Sequence, residues 1–371
     1  MLGICRIGQR ASSDDRVAKR EDHMSGMRED RRRLLIGAAA LAGLGSAAAS
    51  AQPQTKTALR IIDFHNHFVG PAFQSNAGSS APASQSAHWQ KVNRNLSDPQ
   101  ALLASIDTAG IAARVVNTPL EFLKDADGGV SPDLTRRVND QLAELVARHR
   151  GRLYGLATID AFTGEDGARE LIRAVRELGL RGAFLESARN DLLLDAPQAR
   201  PTLAAAAAIG VPVFVHPLTD AALRKRLGRY GRLGTSFNRG TINGAALIAL
   251  IESGTFDELP SLRVVVTTLA MGAVLMAGAS GEGKGRTIRR DAPTLTRRHV
   301  YIDTMGLNPT LIRSAIDTLG ADHVLTGTDW PIFVEPSVAD RLPAALAACE
   351  LTPAEQQMVA SGNALSLLGG A

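Results

Sequence analysis

From Leu59 onward, short apolar runs rich in β-branched residues alternate with stretches whose apolar side chains recur at helical spacing. The runs Arg60–Phe64, Arg114–Asn117, Leu153–Ile159, Gly182–Glu186, Val211–His216, Arg263–Thr268, Val300–Asp303 and Val324–Gly327 predict strands. They are near-continuously apolar rather than alternating, as expected of strands covered on both faces. Between them Pro99–Ala109, Pro132–Arg148, Glu165–Leu178, Pro201–Ile209, Ala245–Ser253 and Pro309–Leu319 carry helical periodicity, with Ser131 as N-cap before Pro132. Helical segments near Ser337–Cys349 and Pro353–Leu368 close the chain. Such a series predicts an α/β fold, a (β/α)8 TIM barrel with eight parallel strands inside a helix ring. A doubly wound sheet would want a glycine-rich phosphate loop after the first strand, where His65 and His67 stand instead.

Two connections look long, Phe68–Asp98 and Leu218–Asn243, and both follow strands, so both should overhang the barrel mouth. The second carries Arg224, Lys225, Arg226, Arg229, Arg232 and Arg239. These read mainly as a solvated face, with one or two as anion contacts.

Composition narrows the class without naming a chemistry. At 371 residues, 45% hydrophobic and 21% charged, the chain is neither disordered nor collagenous nor a disulfide scaffold. Nine of the 41 Lys/Arg and six of the 37 Asp/Glu lie in residues 1–51, so the formal +4 leaves the body near neutral. A nucleic-acid partner would require a clustered basic excess. A small molecule is the expected partner, with homodimer formation left open.

Residues 1–51 read as a leader. Arg31, Arg32 and Arg33 precede a mildly apolar stretch, Leu34 to Ala49, that ends in Ala49-Ser50-Ala51. A charged region, a short apolar region and a small-residue cleavage site make a signal peptide of the twin-arginine type. The run is too short and too rich in Gly and Ala for a stable membrane anchor. The expected mature domain is 52–371, periplasmic or secreted. Cys5 would leave with the leader, so Cys349 stands alone and no internal disulfide is expected.

In this fold the active site gathers where the strands end. Those ends carry His65 and His67, Asn117, Asp160, Glu186, His216, Thr267 and Thr268, Asp303 and Asp329. A His-x-His pair on a strand sends both side chains to one face. Joined by His216 and Asp329, it makes a divalent-metal site for zinc, with manganese or iron as substitutes. Glu186, Asn117 and Arg239 are candidates for substrate contact. His88, His149, His299 and His323, in loops or at helix ends, are expected to be solvated.

The chain resembles the amidohydrolase-related proteins grouped with aminocarboxymuconate semialdehyde decarboxylase, from about Leu59 to Leu368. The resemblance rests on Ile62-Asp63-Phe64-His65-Asn66-His67, Gly179-Leu180-Arg181-Gly182, Pro212-Val213-Phe214-Val215-His216-Pro217, Tyr301-Ile302-Asp303-Thr304 and Gly327-Thr328-Asp329-Trp330-Pro331, then Gly362-Asn363-Ala364. It implies one divalent metal held at His65, His67, His216 and Asp329. It also implies a reaction that is either hydrolysis, hydration of a double bond or decarboxylation.

One departure shapes the expected reaction. The resemblance implies an acid/base histidine after the sixth strand, where this chain has Thr268. Threonine cannot shuttle a proton near neutral pH, which leaves Asp329 as the base. The expectation is therefore a hydrolase in which metal-activated water attacks a small cyclic or carboxylated amide, ester or lactone. Decarboxylation of an aromatic or muconate-like acid is the second reading, and a metal-binding barrel without turnover the third. Glu186 could bridge a second metal, but that metal would also want the missing histidine.

Overall fold

The first strand, β1 (Ile62–His67), is buried along its whole length and opens the barrel. The computed structural model describes residues 59–369 apart from 80, 82, 124–129, 280–290 and 335–336. The leader expected over residues 1–51 lies outside the described residues. The further strands are β2 (Ala113–Asn117), β3 (Leu153–Gly155), β4 (Ala157–Thr158), β5 (Ala183–Glu186), β6 (Ala188–Arg189), β7 (Leu192–Leu193), β8 (Pro212–His216), β9 (Arg263–Val266), β10 (Val300–Asp303) and β11 (Val324–Leu325).

β1, β2 and β3 pair in parallel, and β4, β5, β8, β9, β10 and β11 form a second parallel run. β3 and β4 are one strand interrupted at Leu156, so the two runs are continuous. The backbone closes the circle. Phe64 N–H donates to Thr326 O at 2.7 Å, His67 N–H to Trp330 O at 2.8 Å, and Asp329 N–H to His65 O at 2.8 Å. Eight parallel strands thus close into the expected (β/α)8 barrel, and β6 with β7 makes a small antiparallel hairpin at its rim.

Inside, Ile62, Phe64, Val115, Leu156, Phe184, Phe214, Val265 and Leu325 form one apolar cluster, shut at one end by Ala364, Leu367 and Leu368. A larger cluster lies between strands and helices. Burial on both faces is why the strands read as continuous apolar runs.

Several sequence expectations need correction. β1 runs on through His67 rather than stopping at Phe64. A register shift between Asp63 and Asn66 turns the polar end inward, where buried partners satisfy it. The supposed loop Leu218–Asn243 is largely helical, as Ala221–Leu227 and Gly231–Glu252. The buried face of the second helix is built from Gly234, Asn238, Gly240 and Asn243 before any aliphatic residue appears, so it shows no apolar period. A Cβ on Gly240 would sit 2.4 Å from Leu269 O, so only glycine allows the helix to approach this closely. The other long connection also folds in part, as the helix Ser86–Ser97, over a satellite core of Val69, Val92, Leu96 and Phe122.

Among the described residues no helix is long and apolar enough to cross a membrane. Cys349 is a buried free thiol. His299 departs from expectation: it is 1% exposed, stacked on Phe256 at 4.5 Å and bonded through Nδ1 to Leu262 O at 2.7 Å. His323 stacks on Tyr301 at 4.3 Å.

Candidate metal centre

The end of β1 delivers the first two histidines. His65 and His67 project into the mouth with ring centroids 5.1 Å apart, and His216, from the end of β8, lies 4.9 Å from His67 and 5.9 Å from His65. One nitrogen from each ring falls within 4.8 Å of the others, which makes the trio a metal-competent group. Asp329 joins from beyond β11: its Oδ1 lies 3.0 Å from His67 Nε2 and 3.5 Å from His65 Nε2. Its φ of 64° puts it in the left-handed region, which Asp tolerates and most residues do not. The backbone bond to His65 O fixes this turn.

The partners behind the rings decide which nitrogens face inward. His65 Nδ1 meets Asp303 Oδ2 at 2.6 Å, and His67 Nδ1 meets Asn117 Oδ1 at 2.8 Å. Each imidazole therefore donates outward and turns a lone pair on Nε2 to the centre. Gly327 makes this possible, because a Cβ there would meet Asp303 Cβ at 2.8 Å and His65 Cβ at 3.0 Å.

A deeper network ties β1 to the Asp329 turn. Asp63, wholly buried, accepts from Thr328 N–H at 3.0 Å and Thr328 Oγ1 at 2.6 Å, and Arg114 bonds both Asp63 and Asn66. Burial pushes the Asp63 carboxyl up and the Arg114 guanidinium down, even though each favours the other's charge.

A divalent ion fits this chemistry. His65 Nε2, His67 Nε2, His216 Nδ1 and Asp329 Oδ1 are all buried and make no hydrogen bond. Four unsatisfied polar atoms converging on one point would be costly without a cation to receive their lone pairs. Burial first, then the neighbouring His67 and Arg239, hold His216 well below the ordinary histidine value, so its ring stays neutral and able to ligate. His65 goes the other way: burial opposes its charge, but the carboxylates of Asp303 and Asp329 outweigh burial and raise it.

The expected substrate contacts separate. Asn117 is fully buried behind His67, so its place is to orient that ring rather than to touch a ligand. Glu186 pairs in register with His216 and borders a cavity of about 130 Å³ lined also by Leu120, Phe162, Arg189 and Leu218. It is not part of the metal-competent group found among the described residues. Arg239 reaches the centre from the helix Gly231–Glu252, gripped by Glu121. Thr268 lies after β9 and is 7% exposed; its backbone N–H donates to Asp303 Oδ1 at 3.0 Å.

Sequence reasoning missed Asp303 as the partner of His65, Glu121 as the partner of Arg239, and the Arg114–Asp63 pair. Asp303 alone had a signal, its position at a strand end. The others meet partners 118 and 51 positions away.

Residues 62–370 match the family model described as amidohydrolase. The chain belongs to that family, and it is an enzyme. It is 28% identical over 294 residues to the gamma-resorcylate decarboxylase of Rhodococcus jostii, covering 73% of this chain and 88% of the relative. It is 25% identical over 291 residues to the 2-amino-3-carboxymuconate-6-semialdehyde decarboxylase of Dictyostelium discoideum, covering 76% and 79%. Its fold matches that of the 5-carboxyvanillate decarboxylase of Sphingomonas paucimobilis with a TM-score of 0.68 at 24% identity, over 84% of this chain and 100% of the other. It matches a dihydroxybenzoic acid decarboxylase of Polaromonas sp. JS666, which holds manganese and 2-nitroresorcinol, with a TM-score of 0.69 at 24% identity, over 84% and 97%.

These relatives overturn the expectation of a hydrolase: those named are decarboxylases. The physical reason lies in Asp329. The lack of a histidine at Thr268 weighs against decarboxylation only if no other group can deliver a proton. A carboxyl beside the metal ligands can both take up a proton and give one.

Proposed function

We propose that the protein is a divalent-metal-dependent decarboxylase of a small hydroxylated aromatic or muconate-like acid. The observation that carries this reading is the Asp329 carboxyl, set against His65 and His67 at the ends of the strands. Phe122 and Phe184 lie 5.9 and 5.8 Å from the His67 ring, and Phe214 lies 4.9 Å from that of His65. The names of the relatives support a flat, conjugated acid as the substrate class.

His65, His67, His216 and Asp329 would hold the ion. Once bound, it would supply positive charge to the substrate's oxygens. Asp329 gives its proton to the carbon that bears the carboxylate. The carbon–carboxylate bond then breaks, its electron pair restores the conjugated system, and carbon dioxide leaves. Solvent returns a proton to Asp329, so the balance is one acid anion and one proton in, one decarboxylated product and one carbon dioxide out.

The manganese in a structural neighbour favours manganese over zinc as the ion, and mixed nitrogen and oxygen donors accept either. The pattern of residues 31–51 supports export of the mature chain, tested by the N-terminal mass of the protein recovered from the periplasm. The main test is carbon dioxide release by the manganese-loaded enzyme from a panel of dihydroxybenzoates, 5-carboxyvanillate and an aminocarboxymuconate semialdehyde. Release from at least one is the expected result. No release from any, with turnover of an amide or ester panel, would overturn the reading.

A further inference from the structure

The outer side of the helix Gly231–Glu252 is apolar where a solvated helix carries charge. Leu233 and Phe237, 78% and 66% exposed, begin a stripe at helical spacing that runs through Thr241, Ala245 and Ile248 to Glu252. From Leu233 to Ile251 the sole charged side chain is Arg239, and it turns inward to Glu121. The helix Met271–Ala279 lies alongside: a Cβ on Gly244 would sit 2.9 Å from Ala273 Cβ. That helix has no charged residue either, and it presents Leu275 and Met276, the latter 73% exposed. A joined apolar surface of this kind marks a place where another surface docks.

Charge at the two ends of the stripe selects the occupant. Arg224, Lys225, Arg226, Arg229 and Arg232 are exposed at its N-terminal end, and Glu252 and Asp257 are exposed at the other. A surface of one sign, such as an anionic membrane, would attract the first group and repel the second. A second copy of the same helix, laid antiparallel, matches both ends at once.

We infer that this face joins two copies of the chain, with their Gly231–Glu252 helices antiparallel about a twofold axis at Thr241. The inference is independent of the reaction, and it gives the pairing a register. At 1.5 Å per residue, Phe237 and Ala245 lie about 6 Å on either side of Thr241, so each phenyl ring meets the small Gly244 and Ala245 of the other copy. Leu233 and Ile248 lie about 12 Å and 10 Å out, and Arg229 and Glu252 about 18 Å and 16 Å, so each of these pairs also meets across the axis. Large side chains thus face small ones, and each cation faces an acid.

Sedimentation of the manganese-loaded protein over a concentration series tests this. A dimer is expected at micromolar concentration. Phe237→Glu would set a carboxylate in the apolar stripe and is expected to give monomers with an unchanged far-ultraviolet circular dichroism spectrum. Arg229→Glu places two like-charged pairs across the axis and is expected to raise the dimer Kd about tenfold; adding Glu252→Arg should restore it. This charge exchange serves if Phe237→Glu does not fold. Under mild oxidation Thr241→Cys should link two copies covalently, while Thr235→Cys, exposed on another side of the helix, should not. A protein that stays monomeric at all concentrations overturns the inference. So does a dimer that neither Phe237→Glu nor Arg229→Glu weakens and that Thr241→Cys does not link, because another face would then join the copies. A monomer that sediments with phosphatidylglycerol vesicles would assign the face to lipid and overturn it as well.

Discussion

Asp303 Oδ2 lies 2.6 Å from His65 Nδ1, while its other oxygen accepts the backbone N–H groups of Thr268 and Met305, each at 3.0 Å. One carboxylate thus fixes the tautomer of a metal ligand and the path of the chain after β9. Asp303→Asn should weaken metal binding about 10- to 100-fold while leaving the far-ultraviolet circular dichroism unchanged. Competition against a chromophoric chelator measures it. An unchanged metal affinity would remove Asp303 from the centre's support.

The Asp63–Arg114 pair predicts a stability effect distinct from metal binding. Arg114→Met would strand a fully buried carboxyl, at a cost of about 3–5 kcal/mol. Denaturant unfolding of the metal-free protein should show that loss. Asp63→Asn combined with Arg114→Met should recover part of it, because no unpaired charge remains. A double variant less stable than the single one would contradict this account.

His299 predicts a pH dependence remote from the centre. Burial, more than any neighbouring charge, holds its imidazole below the ordinary histidine value. Between that lowered value and about 6.5 the unfolded chain binds the extra proton, so stability is kept above pH 6.5 and lost as pH falls below it. In His299→Phe the stack on Phe256 remains and the titrating group is gone. The variant gives up about 1 kcal/mol at pH 7 with the bond to Leu262 O, and its stability should then fall less steeply toward pH 5 than the native protein's. Equal slopes would mean that other groups set the acid response.

How much of this was legible in the sequence depends on which residues carry the signal. The barrel was readable because buried parallel strands are continuous apolar runs, and β8 and β10 announce themselves as Pro212–His216 and Val300–Asp303. His65 and His67 were readable as a pair because strand geometry puts alternate residues on one face. The second half of the helix Gly231–Glu252 was readable as Ala245–Ser253, but the first half was not, because glycine and asparagine line its buried face. Glu121 was invisible because its meaning comes from Arg239, which only the closed barrel brings near. The reaction itself was misjudged from Thr268, since a missing proton carrier at one position says nothing about a carboxyl supplied by another.

Metal removal gives the next prediction. Protein purified without chelators or added metal should carry about one divalent ion per chain, given the single converging donor set among the described residues. Chelation should abolish turnover, and manganese should restore more of it than zinc. Full activity in the chelated protein would sink the metal-dependent reading.

Asp329→Asn tests the proton carrier directly. Asparagine matches aspartate in shape and also accepts a left-handed φ, so the turn held by His65 O should survive. The amide keeps an oxygen for the ion but cannot carry a proton. At saturating manganese the variant should still bind ion and substrate, while carbon dioxide release falls about 10²- to 10⁴-fold with KM changed far less than kcat. The pattern matters as much as the size. A matched loss of metal and turnover, restored in full by excess manganese, would reduce Asp329 to a ligand. Turnover near that of the native protein with metal bound would place the proton source elsewhere, and Glu186, in register with His216, would be the next residue to replace.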